Sequence, residues 1–499
     1  MDKLRLINYR CFDDTGDVEL RPITLLLGAN SSGKSSFIKF FPLLQQSVGT
    51  TVNGLFLWDG QYVDFKDFKN TVKDGKGEIT IEYVIDKLPV SSMFSNHITV
   101  INNVLVILTL EEKDIFYDYL KKLSIHYNGV DIEYLFDKVG KYCKVQANSI
   151  SSDNFEKEKI EVGFDNNLLP SLRFTYRNNG LGLAGPTSLY ASREILRIKG
   201  EKDINDPFKL FDAELEKNLV LEKNKIYSQF AESIKNITKE NLARITDIRI
   251  YQQSGTLLNA VNGYFNSMAE HFSYVLPLRA IMNRYYRFQN RAVDQIDPDG
   301  DNLAMYLNSL SDEKLKAYNE WLDSTFHFKI GVKKSEGHVE MVIHDGHRED
   351  RNLVDVGFGY TQILPILTII WKSIYDSGKH RSRMDNMMPI TIAIEQPELH
   401  LHPRFQAYFA NMLAKVITEC KKRKLKIRII IETHSEVIVN RIGLLIANNA
   451  SELKAEDVNV VLFDPQDAES STNVRSTTYS DDGFLVDWPY GFLSDEDVY

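Results

Sequence analysis

Residues 28 to 35 read GANSSGKS, a complete match to GxxxxGK[ST], between an apolar β-type run from Ile23 to Leu27 and a stretch from Ser35 to Gln46 that predicts a helix. No other feature restricts the fold so strongly, because strand, glycine-rich loop and helix in that order make a cradle for a phosphate chain. Gly28 and Gly33 permit a tight turn in which successive N–H groups and the following helix N-terminus surround a β-phosphate. Lys34 can then reach the β and γ oxygens, and Ser35 can offer its hydroxyl to Mg²⁺. The motif therefore predicts a nucleoside triphosphate ligand, with ATP and Mg²⁺ as the expected pair.

Two later segments extend the pattern. Residues 391 to 398, TIAIEQPE, form a short apolar β-type run ending in acid, as expected of a buried parallel strand that delivers a carboxylate to the metal at its carboxyl end. Residues 427 to 436, IRIIIETHSE, repeat the design and end in Thr433, His434 and Ser435. A histidine standing alone is more often a surface or capping residue. Just past a second buried strand, His434 instead becomes a candidate sensor of the γ-phosphate.

In order, GANSSGKSS, VGFGYTQILP at 356 to 365, IEQPELHLHP at 394 to 403 and IIIETHSE at 429 to 436 resemble the ABC-type ATPases of the OLD and RecF-like branch. Within it the chain is most similar to the AriA-type ATPases of bacterial PARIS anti-phage systems and, more distantly, to the PtuA type of Septu and retron systems. The resemblance implies an α/β fold: an ABC-type P-loop ATPase with a mixed β-sheet core, a β-rich N-terminal lobe, a helical insertion and no long coiled coil. It makes Asn30, Ser31, Ser32, Gly33, Lys34, Ser35 and Ser36 the phosphate loop, Glu395 the acid that holds Mg²⁺ beside Ser35, and His434 the switch histidine. Gly357, Phe358, Gly359, Tyr360, Thr361 and Gln362 become the signature loop, with Gly357, Gly359 and Gln362 facing ATP held by a second subunit. The partners implied are further copies of the chain sharing ATP sites, a separate effector, expected to be a nuclease, and a phage-encoded trigger.

One position departs from the broader ABC pattern. A glutamate that polarises water usually follows the metal-holding acid, and here Gln396 stands there. An amide orients water but does not accept its proton near neutral pH, so slow hydrolysis is expected unless another group helps. Glu398 is the spare carboxylate, either as proton acceptor or as a cap on its own loop. GTPases hydrolyse with a glutamine that only positions water, so the substitution does not predict inactivity.

With 499 residues, of which 43% are hydrophobic and 26% charged, the chain can bury a large core as two or three globular units. Cys11, Cys143 and Cys420 have no metal spacing and cannot all pair, which points to a reducing compartment. No signal-type segment opens the sequence and no window approaches the ~20 apolar residues of a membrane span, so a cytoplasmic protein without a membrane partner is expected. A net charge of −10 disfavours a surface that coats nucleic acid, though a local basic groove stays open. KKRKLK at 421 to 426 is read as a helix C-terminus after a helix ending near Cys420. Arg284, Tyr285, Tyr286, Arg287 and Phe288 mix cations with aromatics as strand-binding surfaces do, and fit a subunit or domain contact at least as well.

The organisation predicted is split: 1–195 an N-terminal ATPase lobe with the phosphate loop, 196–310 a helical and mixed insertion, 311–450 a C-terminal ATPase lobe, and 451–499 a tail. LRLINYRCFDD and GDVELRPITLLLG read as two early strands, residues 121 to 185 as an irregular β layer, 196 to 245 as helical, 246 to 310 as mixed, and PDGDN at 298 to 302 as a turn. Residues 437 to 499 are too few for the Toprim nuclease domain of OLD proteins, and the aromatic, acidic end VDWPYGFLSDEDVY is expected to pack on the ATPase or a partner. Two functions follow: a sensor or scaffold governing a separate nuclease, or a RecF-like DNA-repair ATPase acting on DNA itself.

Overall fold

The computed structural model describes residues 2–486 apart from 51–53, 76, 92–97, 115–116, 156–157, 164–166, 179–180, 186, 201–222, 235–236, 288–292, 294, 336, 345, 347–348, 377–386, 449–451 and 466–470. The chain packs into two compact units, one of Met1–Glu19 with Leu43–Glu270 and one of Leu20–Pro42 with His271–Tyr499. The phosphate-loop segment thus belongs to the same unit as the C-terminal half.

In the unit that carries the motifs, six of the described strands form one sheet: β1 (Ile23–Gly28), β2 (Phe272–Val275), β3 (Ile390–Glu395), β4 (Ile427–Glu432), β5 (Val458–Pro465) and β6 (Thr472–Thr477). Their spatial order is β2-β3-β4-β1-β5-β6, with every neighbouring pair parallel except the antiparallel β5–β6 edge. β1, β3 and β4 are buried at every residue. Unbroken runs such as ITLLLG and IRIIIE suit this, since a parallel strand covered on both faces has no solvent side to alternate toward.

Helices cover the sheet: α1 (Lys34–Ile38), α2 (Phe358–Trp371), α3 (Pro403–Arg423) and α4 (Glu436–Ala447). Local chemistry starts two of them. Ser435 caps α4 by accepting from the Ile438 N–H at 3.1 Å. At α3, Pro403 needs no hydrogen-bond partner in the first turn and His402 Nδ1 accepts from the Arg404 N–H at 3.2 Å. Ile363, Leu364, Ile366 and Leu367 of α2 join Ile392, Ile394, Leu413 and Ile429 in one core.

The other unit holds a sheet of nine described strands in which every pairing is antiparallel, from Phe12–Asp14 through Lys3–Tyr9 and Ile79–Ser91 to Ile150–Ser151. Beside it in the chain come a three-stranded sheet (Lys159–Gly163, Ser171–Asn178, Leu181–Gly185) and helices Leu189–Ile198, Lys223–Ser233, Lys239–Gln252 and Ser254–Glu270. The mixed α/β architecture with a β-rich N-terminal part stands as expected. Among the described residues no helix exceeds the 21 residues of α3, so no long coiled coil occurs there, and none is long and apolar enough to cross a membrane.

Several local expectations change. The helix expected over Ser35 to Gln46 breaks at Lys39 into α1 and Phe40–Ser47, because Pro42 has no N–H for the Ile38 carbonyl. GDVELRPITLLLG is two strands in different sheets, Val18–Glu19 and β1, separated at Pro22. The layer after residue 121 is regular, as the alternating burial of Val130–Phe136 requires of a one-sided antiparallel strand. Residues 246 to 270 are helical, with mixed structure starting only at Phe272. α3 runs on to Arg423, ending at Lys424 with φ 57°, and Lys421 and Arg423 pair with Asp457 and Glu419 at 2.6 and 3.0 Å. The charged run FKLFDAELEKNLVLEK falls largely in 201–222, and Phe288 and the tail from 487 also lie outside the described residues.

Candidate functional site

β1 ends at Gly28 against β5, where an added Cβ would lie 2.5 Å from the Phe463 carbonyl oxygen and 2.6 Å from Ser32 Oγ. Only glycine fits. The loop then turns through Ser31 at φ 62° and Gly33 at φ 98°, both left-handed, and the second favours a residue without Cβ. Asn30 and Ser31 are exposed, Ser32 and Lys34 buried, and Gly33, Ser35 and Ser36 half-buried. Lys34 folds back into the loop, its Nζ donating to the carbonyls of Gly28 at 2.9 Å and Ala29 at 2.6 Å. Burial lowers its pKa, against the raising influence of Glu432 and Glu398.

The neighbouring strand β4 contributes a residue that the sequence reading passed over. Glu432 ends β4 in register with Leu26 of β1 on one side and Glu395 of β3 on the other. The Ser35 hydroxyl donates to Glu432 Oε1 at 2.9 Å, whereas Glu432 Oε2 is buried without a partner. Burial, then the nearby Glu395 charge, push the Glu432 carboxyl up to about 7, although Ser35 and Lys34 favour its ionised form. A signal was present: TIAIE and RIIIE close on the same apolar-then-acid step.

Glu395 accepts a short hydrogen bond from the Tyr274 hydroxyl, and burial raises its pKa against that bond and the charges of Lys39 and Arg279. Ser35 therefore contacts Glu432, and the Glu395 carboxylate is held by Tyr274. Gln396 follows in a left-handed conformation, φ 44°. Its N–H donates to the Glu432 carbonyl at 2.8 Å, and Arg279 grips the Glu395 and Gln396 carbonyls at 2.9 and 3.3 Å. Such a conformation costs a residue with a Cβ about 1–2 kcal/mol, so these bonds keep Gln396 where it is. Tyr274 and Arg279, which no sequence motif singles out, thus shape the site.

Each oxygen of Glu398 accepts a hydrogen bond. Its Oε2 accepts from Thr433 Oγ1 at 2.8 Å and its Oε1 from the His434 N–H at 2.7 Å, joining the turn after β3 to the turn after β4. His434 leaves that turn half-buried, with Nε2 buried and unpartnered. Burial and the Lys34 charge lower its pKa, so the ring is neutral near pH 7. Gly357, with φ 106° and ψ 150°, caps α2, and Gly359 lies in its first turn with room for a Cβ 3.7 Å from the His400 carbonyl. Gln362, one turn further on, is 3% exposed.

The donor chemistry suits Mg²⁺ with a triphosphate. Ser35, Glu395 and Glu432 offer only oxygen, and among the described residues no His/Cys/Asp/Glu cluster forms a self-sufficient metal cage. Mg²⁺ is typically held by one or two carboxylates together with substrate phosphates and water. The loop amides and Lys34 match the phosphates, and the buried orphan oxygen of Glu432 is what a bound cation would satisfy.

A phosphate loop, two acid-ended strands beside it and a glycine-capped helix on a mixed sheet define a P-loop ATPase. The chain belongs to the AAA ATPase domain family AAA_15, whose model matches residues 1–439, and it is an ATPase. No curated protein matches it. Solved structures align over most of its length at low identity. The SMC head bound to the C-terminal winged-helix domain of ScpA is 8% identical, covering 95% of this chain and 97% of its own, TM-score 0.35. An SMC head with an extended coiled coil bound to the C-terminal domain of ScpA, from Pyrococcus furiosus, is 10% identical over 96% and 97%, TM-score 0.32. The SMC head domain from Thermotoga maritima is 9% identical over 95% and 97%, TM-score 0.33.

Proposed function

We propose that this ATPase turns over slowly and serves as the nucleotide-controlled sensor or scaffold of an anti-phage defence system of the AriA type, restraining a separate nuclease until a phage-encoded trigger arrives. The observation that carries slow turnover is the state of the two groups after Glu395. Gln396 has no proton-accepting form near pH 7, and Glu398 spends both oxygens on Thr433 and His434. Lys34 and the loop amides bind the phosphates, Ser35 and Glu395 would hold Mg²⁺, Gln396 orients the attacking water, and His434 donates to the γ-phosphate from Nε2. When bound, Mg²⁺ neutralises charge on the β and γ oxygens. Gly357 and Gly359 meet ATP held by another copy, so the active form is at least a dimer.

The defence role rests on the motif resemblance and is tested separately from the chemistry. Phosphate release by wild type should be slow, and Gln396→Glu, which installs a proton acceptor of ordinary pKa about 4.3, should keep or raise it. In bacteria challenged with phage, protection should require both Lys34 and a neighbouring nuclease-like reading frame. Protection by the chain alone, with DNA binding that weakens steeply with salt, would instead establish the RecF-like alternative.

A further inference from the structure

The geometry points to Glu432 as a second protein carboxylate of the Mg²⁺ site, acting from the strand between the phosphate loop and Glu395. This rests on the reading that the loop binds Mg²⁺·ATP. Sheet order supplies the first argument, since β4 lies between β1 and β3 and its last residue is level with Glu395. The second is contact: Ser35, the hydroxyl assigned to the metal, already donates to Glu432 Oε1 at 2.9 Å. The third is independent of both. Glu432 is 2% exposed, and its Oε2 has no hydrogen-bond partner. A buried carboxylate oxygen without a partner is costly, and a cation held beside Ser35 would remove that cost. The charged groups acting on it are Glu395, Lys34 and Lys39. Lys34 bonds the Gly28 and Ala29 carbonyls, so it does not supply the missing partner.

A merely structural role, anchoring Ser35, predicts a different outcome. Glu432→Gln keeps an oxygen for the Ser35 hydroxyl and removes only the charge. Binding of a fluorescent ATP analogue would be measured for the full chain in EDTA and across titrations with Mg²⁺ and Mn²⁺, with Mn²⁺ linewidths by electron paramagnetic resonance as a second readout. Expected is metal-free binding equal to or tighter than wild type, with the metal-dependent gain reduced about tenfold to a hundredfold. Glu432→Asp, which keeps the charge but withdraws it by one methylene, should fall between the two and covers the case in which the glutamine variant does not fold. Wild-type metal enhancement in either folded variant overturns the assignment. Glu395→Gln run alongside separates the two readings: if wild type itself shows no metal-dependent gain, the underlying site reading fails, whereas if only Glu395→Gln loses it, Glu432 alone is excluded.

Discussion

Glu398 offers the sharpest test of how this site handles water, because its two oxygens make measurable contacts. Its bonds to Thr433 Oγ1 at 2.8 Å and the His434 N–H at 2.7 Å are to a carboxylate, and each such bond contributes about 1.5–3 kcal/mol. Glu398→Ala deletes both beside a fully buried Thr433, so the two turns should loosen by about 3–6 kcal/mol, and turnover should fall as His434 loses its place. Glu398→Gln is nearly isosteric. Its carbonyl oxygen can accept from the His434 N–H, while its NH₂ donates to the Thr433 hydroxyl, which already accepts from the Ser435 N–H at 3.0 Å and has a lone pair to spare. If Glu398 only positions His434, the glutamine variant keeps phosphate release within about one order of magnitude of wild type. If Glu398 is the proton acceptor, release falls by about 100- to 10,000-fold with ATP affinity unchanged. Calorimetric ATP binding and steady-state phosphate release on the same preparations decide it, and an inactive, ATP-binding Glu398→Gln refutes the positioning role.

Lys34→Ala should abolish tight ATP·Mg²⁺ binding by calorimetry, since Lys34 is the loop's own cation, while Ser35→Ala should weaken mainly the Mg²⁺-dependent part. Gly359→Glu should fold, because a Cβ there meets nothing closer than 3.7 Å, and should bind ATP without hydrolysing it. Mixed with Lys34→Ala it should recover one composite site per heterodimer, whereas a site made wholly in one chain recovers none. Burial pushes Asp118 up to about 6 and Glu158 up to about 7, so the folded β-rich unit holds protons that the unfolded chain has released. Their contribution to stability is complete below about pH 4 and is lost as pH rises through 6 to 7; denaturation midpoints compared at pH 5 and pH 8 should show Asp118→Asn losing less with rising pH than wild type.

The sequence by itself determined which segments would be strands buried on both faces and where the phosphate loop sits. Apolar runs closed by glycine or acid, such as ITLLLG and IAIE, leave a parallel sheet little alternative. The candidate residues Lys34, Ser35, Glu395 and His434 were legible for the same reason, as their spacing to those runs is local. What only the tertiary structure decided is lateral. Strand order brings β4 between β1 and β3, which sets Glu432 against Ser35 and turns Glu395 toward Tyr274, from residues more than a hundred positions away. Whether Glu398 was free or bound likewise depended on the turn after β4 reaching the turn after β3, and the burial of Gln362 on how α2 packs. Periodicity and motif spacing record what a residue's own segment does, whereas hydrogen bonds between strands distant in the chain are fixed only when the sheet closes.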